Sequence, residues 1–105
     1  MSSHLVSIII DQDSQVVEAT DGFCALLKHP RHEVESKLLL DLIHPGDHKT
    51  AVKAFIDIFY GVHVSKKYNF RFMDAAGKAI YTYALVSLND IELMPSASIL
   101  LSLAD

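Results

Sequence analysis

One stretch limits how this chain can fold: Leu38-Leu39-Leu40-Asp41-Leu42-Ile43-His44-Pro45-Gly46-Asp47-His48. An apolar run stops abruptly at a helix start. Pro45 suits the first helical position, where its missing N–H costs nothing. Asp47 falls near the third position, where its carboxylate can accept orphan N–H bonds and meet the positive end of the helix dipole. His44 then stands at the N-cap, although His is not a preferred cap. From Lys49 onward, Val52, Phe55, Ile56 and Phe59 recur at helical spacing and predict one buried stripe. Gly61 is placed to end the helix. Two short strands and small helices precede this stretch, and three strands follow it.

That helix serves a single core. With 105 residues the chain is expected to be one domain, able to bury about two thirds of its surface without staples. Half the residues are hydrophobic and 21% are charged, which argues against disorder. A net charge of −4 without a long basic run argues against a nucleic-acid partner. The one cysteine, Cys24, has no partner for an internal disulfide, which fits a reducing, cytoplasmic location. The longest apolar runs are too short to span a bilayer, and no signal peptide opens the sequence, so no membrane association is expected.

Residues 5–10 are apolar and β-branched and predict a buried strand. Asp11-Gln12-Asp13-Ser14 has turn chemistry, and residues 15–19 form a second strand, closing a hairpin. Thr20 or Asp21 caps a short helix carrying Phe23, Leu26 and Leu27, which Pro30 breaks. Residues 31–36 make one or two further turns with Glu33 and Glu35 exposed. After Gly61, residues 66–73 alternate: Tyr68, Phe70 and Phe72 share one face, and Lys67, Asn69 and Arg71 the other. Asp74-Ala75-Ala76-Gly77 is a hairpin turn. Residues 79–88 form the next strand, with Tyr81, Tyr83 and Leu85 on one face and Ile80, Thr82, Ala84 and Val86 on the other. Residues 89–95 are a loop, and 98–103 an almost wholly apolar last strand. Two strands, several helices and three strands predict an α+β fold: an antiparallel five-stranded sheet with helices packed on one face. Both faces of the strand at 79–88 carry apolar or aromatic groups, so the outer one is an exposed patch unless something packs there.

This order and its punctuation resemble a PAS domain over nearly the whole chain. Ala19-Thr20-Asp21-Gly22-Phe23-Cys24-Ala25-Leu26-Leu27 looks like the family's "AN-x-AFC-x-L-L" helix start, with Thr20 where Asn is usual. Leu40-Asp41-Leu42-Ile43-His44-Pro45-Gly46-Asp47 is similar to its "DLIHPDD" segment. Tyr68-Asn69-Phe70-Arg71-Phe72, followed by Asp74-Ala75-Ala76-Gly77-Lys78, resembles its "EFR-x-x-x-DG" strand and turn, lengthened by two alanines. The last strand ending in Ala104-Asp105 looks like the strand that runs into its "D-I-T" exit motif. The resemblance implies a PAS fold and a sensor module cut from a longer signalling protein. Its output domain, a histidine kinase or cyclic-dinucleotide enzyme, would follow in the same parent chain.

Six histidines raise the question of metal or haem. His29 and His32 are separated by Pro30, and His44 and His48 stand four apart around a helix start. Exposed surface histidines are the plain reading of His4, His29, His32, His44, His48 and His63. Haem-binding members of the family use a histidine on the helix after Pro45, where only His48, in the first turn, is available. A flavin photosensor of the family needs a cysteine just before Leu42, and residues 36–40 hold none. Cys24 reads as a small buried hydrophobe. The expectation is therefore a domain with no metal and no tightly bound cofactor.

Asp21, Asp41, Asp47 and Asp57 are the carboxylates expected near a cavity, without a Ser/His/Asp order or phosphate loop in the sequence. They read as caps and solvated faces, and no catalysis is expected. A small cone-shaped α+β enzyme with a buried Asp as proton shuttle is the rival reading. Phe55 and Phe59 on the helix and Phe70 and Phe72 on the strand would face each other across the core. Such a core either closes or leaves a small-molecule cavity with Thr82 as its polar contact. Tyr81, Tyr83 and Leu85 would form the outer face, which in the family packs against a flanking helix or a second protomer. A homodimer through that face is expected. The competing reading is a ligand-free protein–protein interaction module.

Overall fold

The structure, a computed structural model, describes residues 5–61, 65–89 and 95–103. Most of the expected loop, at 90–94, lies outside the described residues, as do His4, His63, Ala104 and Asp105.

The first turn acts through its side chain. Asp11 Oδ1 accepts the N–H groups of Asp13 at 2.9 Å and Gln15 at 3.0 Å. Ser14 takes the left-handed region at φ 66°. The turn folds β1 (Ser7–Asp11) antiparallel to β2 (Val16–Ala19). A bulge between Ile9 and Ile10 lets both Val16 and Ala19 reach the core, leaving Val17 and Glu18 outside.

Thr20 caps α1 (Asp21–Leu27). Its Oγ1 accepts the Phe23 N–H at 3.2 Å, and its hydroxyl donates to the Leu5 carbonyl at 2.7 Å. Threonine thus supplies the cap bond and also ties the helix to the start of β1. Lys28, at φ 58°, ends α1 before Pro30, and α2 (Arg31–Val34) is a single turn. Glu33 is exposed as expected. Glu35 is not: it is half-buried, because the edge strand β2 needs acceptors. Its carboxylate takes the Ala19 N–H at 3.1 Å and faces Arg31 Nη1 at 3.4 Å.

Two 3-10 turns, Leu39–Leu42 and Pro45–Asp47, lead into α3 (His48–Tyr60), which Gly61 closes. His44 does act as a cap, accepting the Gly46 N–H on Nδ1 at 2.9 Å. The buried stripe of α3 differs from the expected one. Ala51, Ala54 and Ile58 face the core, with Phe55 and Phe59 half-buried beside them. Val52 and Ile56 point outward, 41% and 54% exposed. The small alanines seat the helix close to the sheet, and the larger residues one step round it are left in solvent.

β3 (Ser65–Met73), β4 (Ala79–Asn89) and β5 (Ser96–Leu103) complete the sheet. Asp74 builds the β3–β4 turn by accepting the N–H groups of Ala76 at 2.9 Å and Lys78 at 2.8 Å. Gly77 supplies the turn's positive φ of 83°, which a Cβ would oppose. The strand order is β2-β1-β5-β4-β3, with every neighbouring pair antiparallel. Ile8, Ile10, Phe70, Phe72, Ala84, Val86, Ile99 and Leu101 share the inner face and meet the buried residues of the helices in one core. The fold is α+β, with the helices against one face of the sheet, as the element order predicts.

Candidate functional site

The aromatic residues expected around a cavity fall into two groups. Phe70 and Phe72 are buried, and their rings meet edge to face at 6.3 Å. Phe72 also meets Phe23 edge to face at 5.7 Å, and Tyr68 stacks on Phe70 at 5.9 Å. Such pairs add to burial through the ring quadrupoles. Phe55 and Phe59 lie at the margin, packed on this core but half-buried. Thr82 is buried, and its hydroxyl donates to the Phe70 carbonyl at 3.0 Å. Phe23 enters the aromatic set from α1. Its place beside Cys24 on a buried helix stripe was the available signal.

Asp47, expected as a helix-cap carboxylate, makes no cap bond. It reaches across to the edge strand β3 instead and engages Arg71, whose guanidinium and N–H hold its carboxyl below the ordinary range. A second carboxylate sits at the helix–strand seam. Asp57 Oδ2 accepts from Tyr68 Oη at 3.1 Å and Lys53 Nζ at 3.3 Å, with Lys66 Nζ at 3.8 Å. Burial and then the Asp57 carboxylate push the Tyr68 phenol up to about 12. Asp21 is exposed and pairs with Arg31, and Asp41 is exposed. Burial raises the Cys24 thiol above its ordinary value, and Cys24 is only half-buried.

His48 Nε2 lies 3.0 Å from the Ile43 carbonyl, so that ring nitrogen is engaged by backbone. His29 Nδ1 is 3.7 Å from Glu33. Among the described residues, no three His, Cys, Asp or Glu side chains are grouped to hold a metal ion. Among them, no helix is long and apolar enough to cross a membrane.

Three hollows among the described residues lie on the other side of the sheet, at its β3 edge and at its end. A groove of ≈ 600 Å³ crosses the outer face, bordered by Leu5, Lys67, Tyr83, Leu85, Leu100 and Ser102. A smaller hollow of ≈ 290 Å³ adjoins Asp47, Asn69, Phe70, Arg71, Tyr81 and Thr82. A third, of ≈ 400 Å³, lies beside Lys28, Asp74, Lys78, Tyr81 and Leu103. Phe55, Phe59 and Phe72 border none of these three. The three residues expected on the outer face do share it. Tyr81 and Tyr83 are 60% and 52% exposed, and Leu85 is half-buried between them and β5. Leu100 and Leu5 complete the apolar surface and were not anticipated. The nearly continuous apolar run of β5 hides which of its residues face outward.

Comparison with known proteins bears on the fold. No protein-family model matches the sequence, and no curated protein matches it. Solved structures do. A PAS domain from a two-component sensor histidine kinase superposes with a TM-score of 0.83 at 13% identity, covering 98% of this chain and 87% of that one. The PAS domain of nitrogen regulation protein NR(II) from Vibrio parahaemolyticus gives 0.73 at 14% identity, covering 98% and 92%. The PAS-B domain of Drosophila melanogaster Cycle, with bound ethylene glycol, gives 0.85 at 8% identity, covering 94% and 99%.

Proposed function

Since the chain folds as a PAS domain, we propose that it is a signal-input and dimerisation module, without catalysis of its own, in a cytoplasmic signalling protein. The observation that carries this reading is the apolar groove on the outer sheet face. Tyr81, Tyr83, Leu85, Leu100 and Leu5 leave on one side of the sheet a contiguous apolar surface of the kind that marks an interface. Its occupant is a second copy of the chain. PAS domains from a sensor histidine kinase and from NR(II) share the fold and support a transmitter, such as a kinase, as the output in the parent chain.

In this reading a ligand or partner that prefers one packing of the sheet shifts the population toward it. The change leaves through β5, which lies in the middle of the sheet and borders the groove through Leu100 and Ser102. A specific observation also favours the narrower reading of a ligand-free interaction module. The Thr82 hydroxyl is already bonded to Phe70, and Phe23, Phe70 and Phe72 pack ring to ring.

Native mass spectrometry beside an absorption spectrum of the purified domain tests both. The expected result is a dimer. A retained small-molecule mass or a chromophore band selects the sensor, and a dimer at bare mass selects the interaction module. A chain that stays monomeric at concentrations well above micromolar overturns the dimer.

A further inference from the structure

A five-stranded sheet has two edges, and this chain treats them differently. The β2 edge is closed along its length. Val16 N–H donates to the Lys37 carbonyl at 2.9 Å, Leu39 N–H to the Ser14 carbonyl at 2.7 Å, and Ala19 N–H to Glu35 at 3.1 Å. The β3 edge is closed only toward its C-terminal end. There Arg71 N–H meets Asp47 at 2.7 Å, and the Arg71 carbonyl takes the His44 N–H at 2.7 Å.

Backbone groups alternate in direction along an antiparallel strand. Because both groups of Arg71 point away from β4, those of Asn69 and Lys67 do too. Among the described residues nothing pairs with these four groups. Residues 65–69 therefore present an open ladder, which is a template for an added strand.

Charge decides what suits it. On the seam of α3 and β3, Asp47 engages Arg71 and Asp57 faces both Lys53 and Lys66, in a chain of net charge −4. Lys66 is held over the Tyr68 ring at 5.5 Å and toward Asp57. Lys67 borders the outer face and has no carboxylate within ion-pair distance among the described residues. A second copy pairing β3 on β3 antiparallel about Lys67 would set one Lys67 opposite another, and like charges opposite each other destabilise a ladder. An acidic strand gains where a copy loses.

We propose that the open part of β3 is a docking edge for an extended acidic segment of a partner protein. The segment adds as a sixth strand, its N–H and C=O groups paired with those of Lys67 and Asn69 and a carboxylate opposite Lys67. The Lys67 side chain also borders the outer-face groove, whereas Asn69 does not, so exchange at Asn69 separates docking at this edge from dimerisation through that groove.

The probe is the synthetic peptide acetyl-TVEVEVT-amide, with acetyl-TVKVKVT-amide as its charge-reversed counterpart. Amide exchange by NMR on the full chain reads the binding. The acidic peptide is expected to slow exchange at Lys67 and Asn69 about tenfold or more at saturation, with the lysine peptide inert. Lys67→Glu reverses that preference. The acidic peptide methylated on alternate backbone nitrogens loses the effect, which requires no change in the protein. The proposal is overturned if Lys67 and Asn69 exchange as slowly as Tyr68 without peptide, or if the two peptides act alike or not at all. It is equally overturned if protection of Asn69 rises with chain concentration alone, which would assign the edge to a second copy.

Discussion

Asp47 holds Arg71 through three bonds at once: Oδ2 accepts from the backbone N–H at 2.7 Å and from Nε at 2.9 Å, and Oδ1 from Nη2 at 3.1 Å. One carboxylate thereby closes the strand edge and pins the start of α3 to β3. Its folded-state pKa lies below the ordinary 3.8. A depressed carboxylate stabilises the fold above the unfolded value, and that contribution is lost as pH falls through the folded one. Asp47→Asn is expected to be less stable than the native chain at pH 7. It should also lose stability less steeply below about pH 4, where the native carboxylate takes up its proton. Urea unfolding followed by circular dichroism across that range checks both; parallel slopes would contradict the assignment.

Tyr68 carries the opposite sign. Its phenol is raised to about 12 by burial and by Asp57. A raised acid contributes stability that is intact below its unfolded value near 10 and disappears as pH climbs through the folded value. Phenolate absorbance should show a late step near pH 12 from Tyr68. Tyr68→Phe should remove that late step and flatten the alkaline loss of stability.

The face that α3 buries makes a contrast in energies. Ile58 is 1% exposed, and its truncation to Ala should cost about 2–5 kcal/mol. Phe72, wholly buried between Phe23 and Phe70, should cost about 3–5 kcal/mol as Phe72→Ala. Val52→Ala and Ile56→Ala, on the solvent side, should stay within about 0.5 kcal/mol. Equal losses at Val52 and Ile58 in chemical denaturation would restore the stripe that spacing alone predicts.

The outer face can be charged without touching the core. Tyr83→Asp and Leu100→Asp place carboxylates at the groove while leaving Ala84 and Leu101, their inward neighbours, unchanged. Each is expected to weaken self-association at least about tenfold in sedimentation equilibrium, since burying an unpaired charge is strongly unfavourable. Circular dichroism should show the native fold retained.

Much of this architecture is legible in the residues. Alternation in Tyr68–Phe70–Phe72 and in Thr82–Ala84–Val86 reports the inner face of β3 and β4 directly, because a strand has only two sides. The turn chemistry of Asp11 and Asp74 is equally local. The helix α3 misleads because hydrophobic spacing weights large side chains, whereas close packing on a sheet selects Ala51 and Ala54. Asp47 misleads for a different reason. Its sequence neighbours offer a helix N-terminus, but Arg71 lies 24 positions away and no local pattern announces it. Leu100 on the outer face stays hidden in an apolar run whose phase only the β4–β5 register reveals.

The position of β5 has a consequence for how the chain comes together. It lies between β1 and β4, so the hairpin formed by the first two strands and the one formed by β3 and β4 share no ladder without it. Ile8 pairs with Ala19 on one side but finds its other sheet neighbour only at Ile99, nearly the whole chain later. During synthesis the sheet cannot close until residue 103 has left the ribosome, and until then β1 waits with an open side. Within this sheet β5 is the keystone, and closure of the sheet is gated by its arrival.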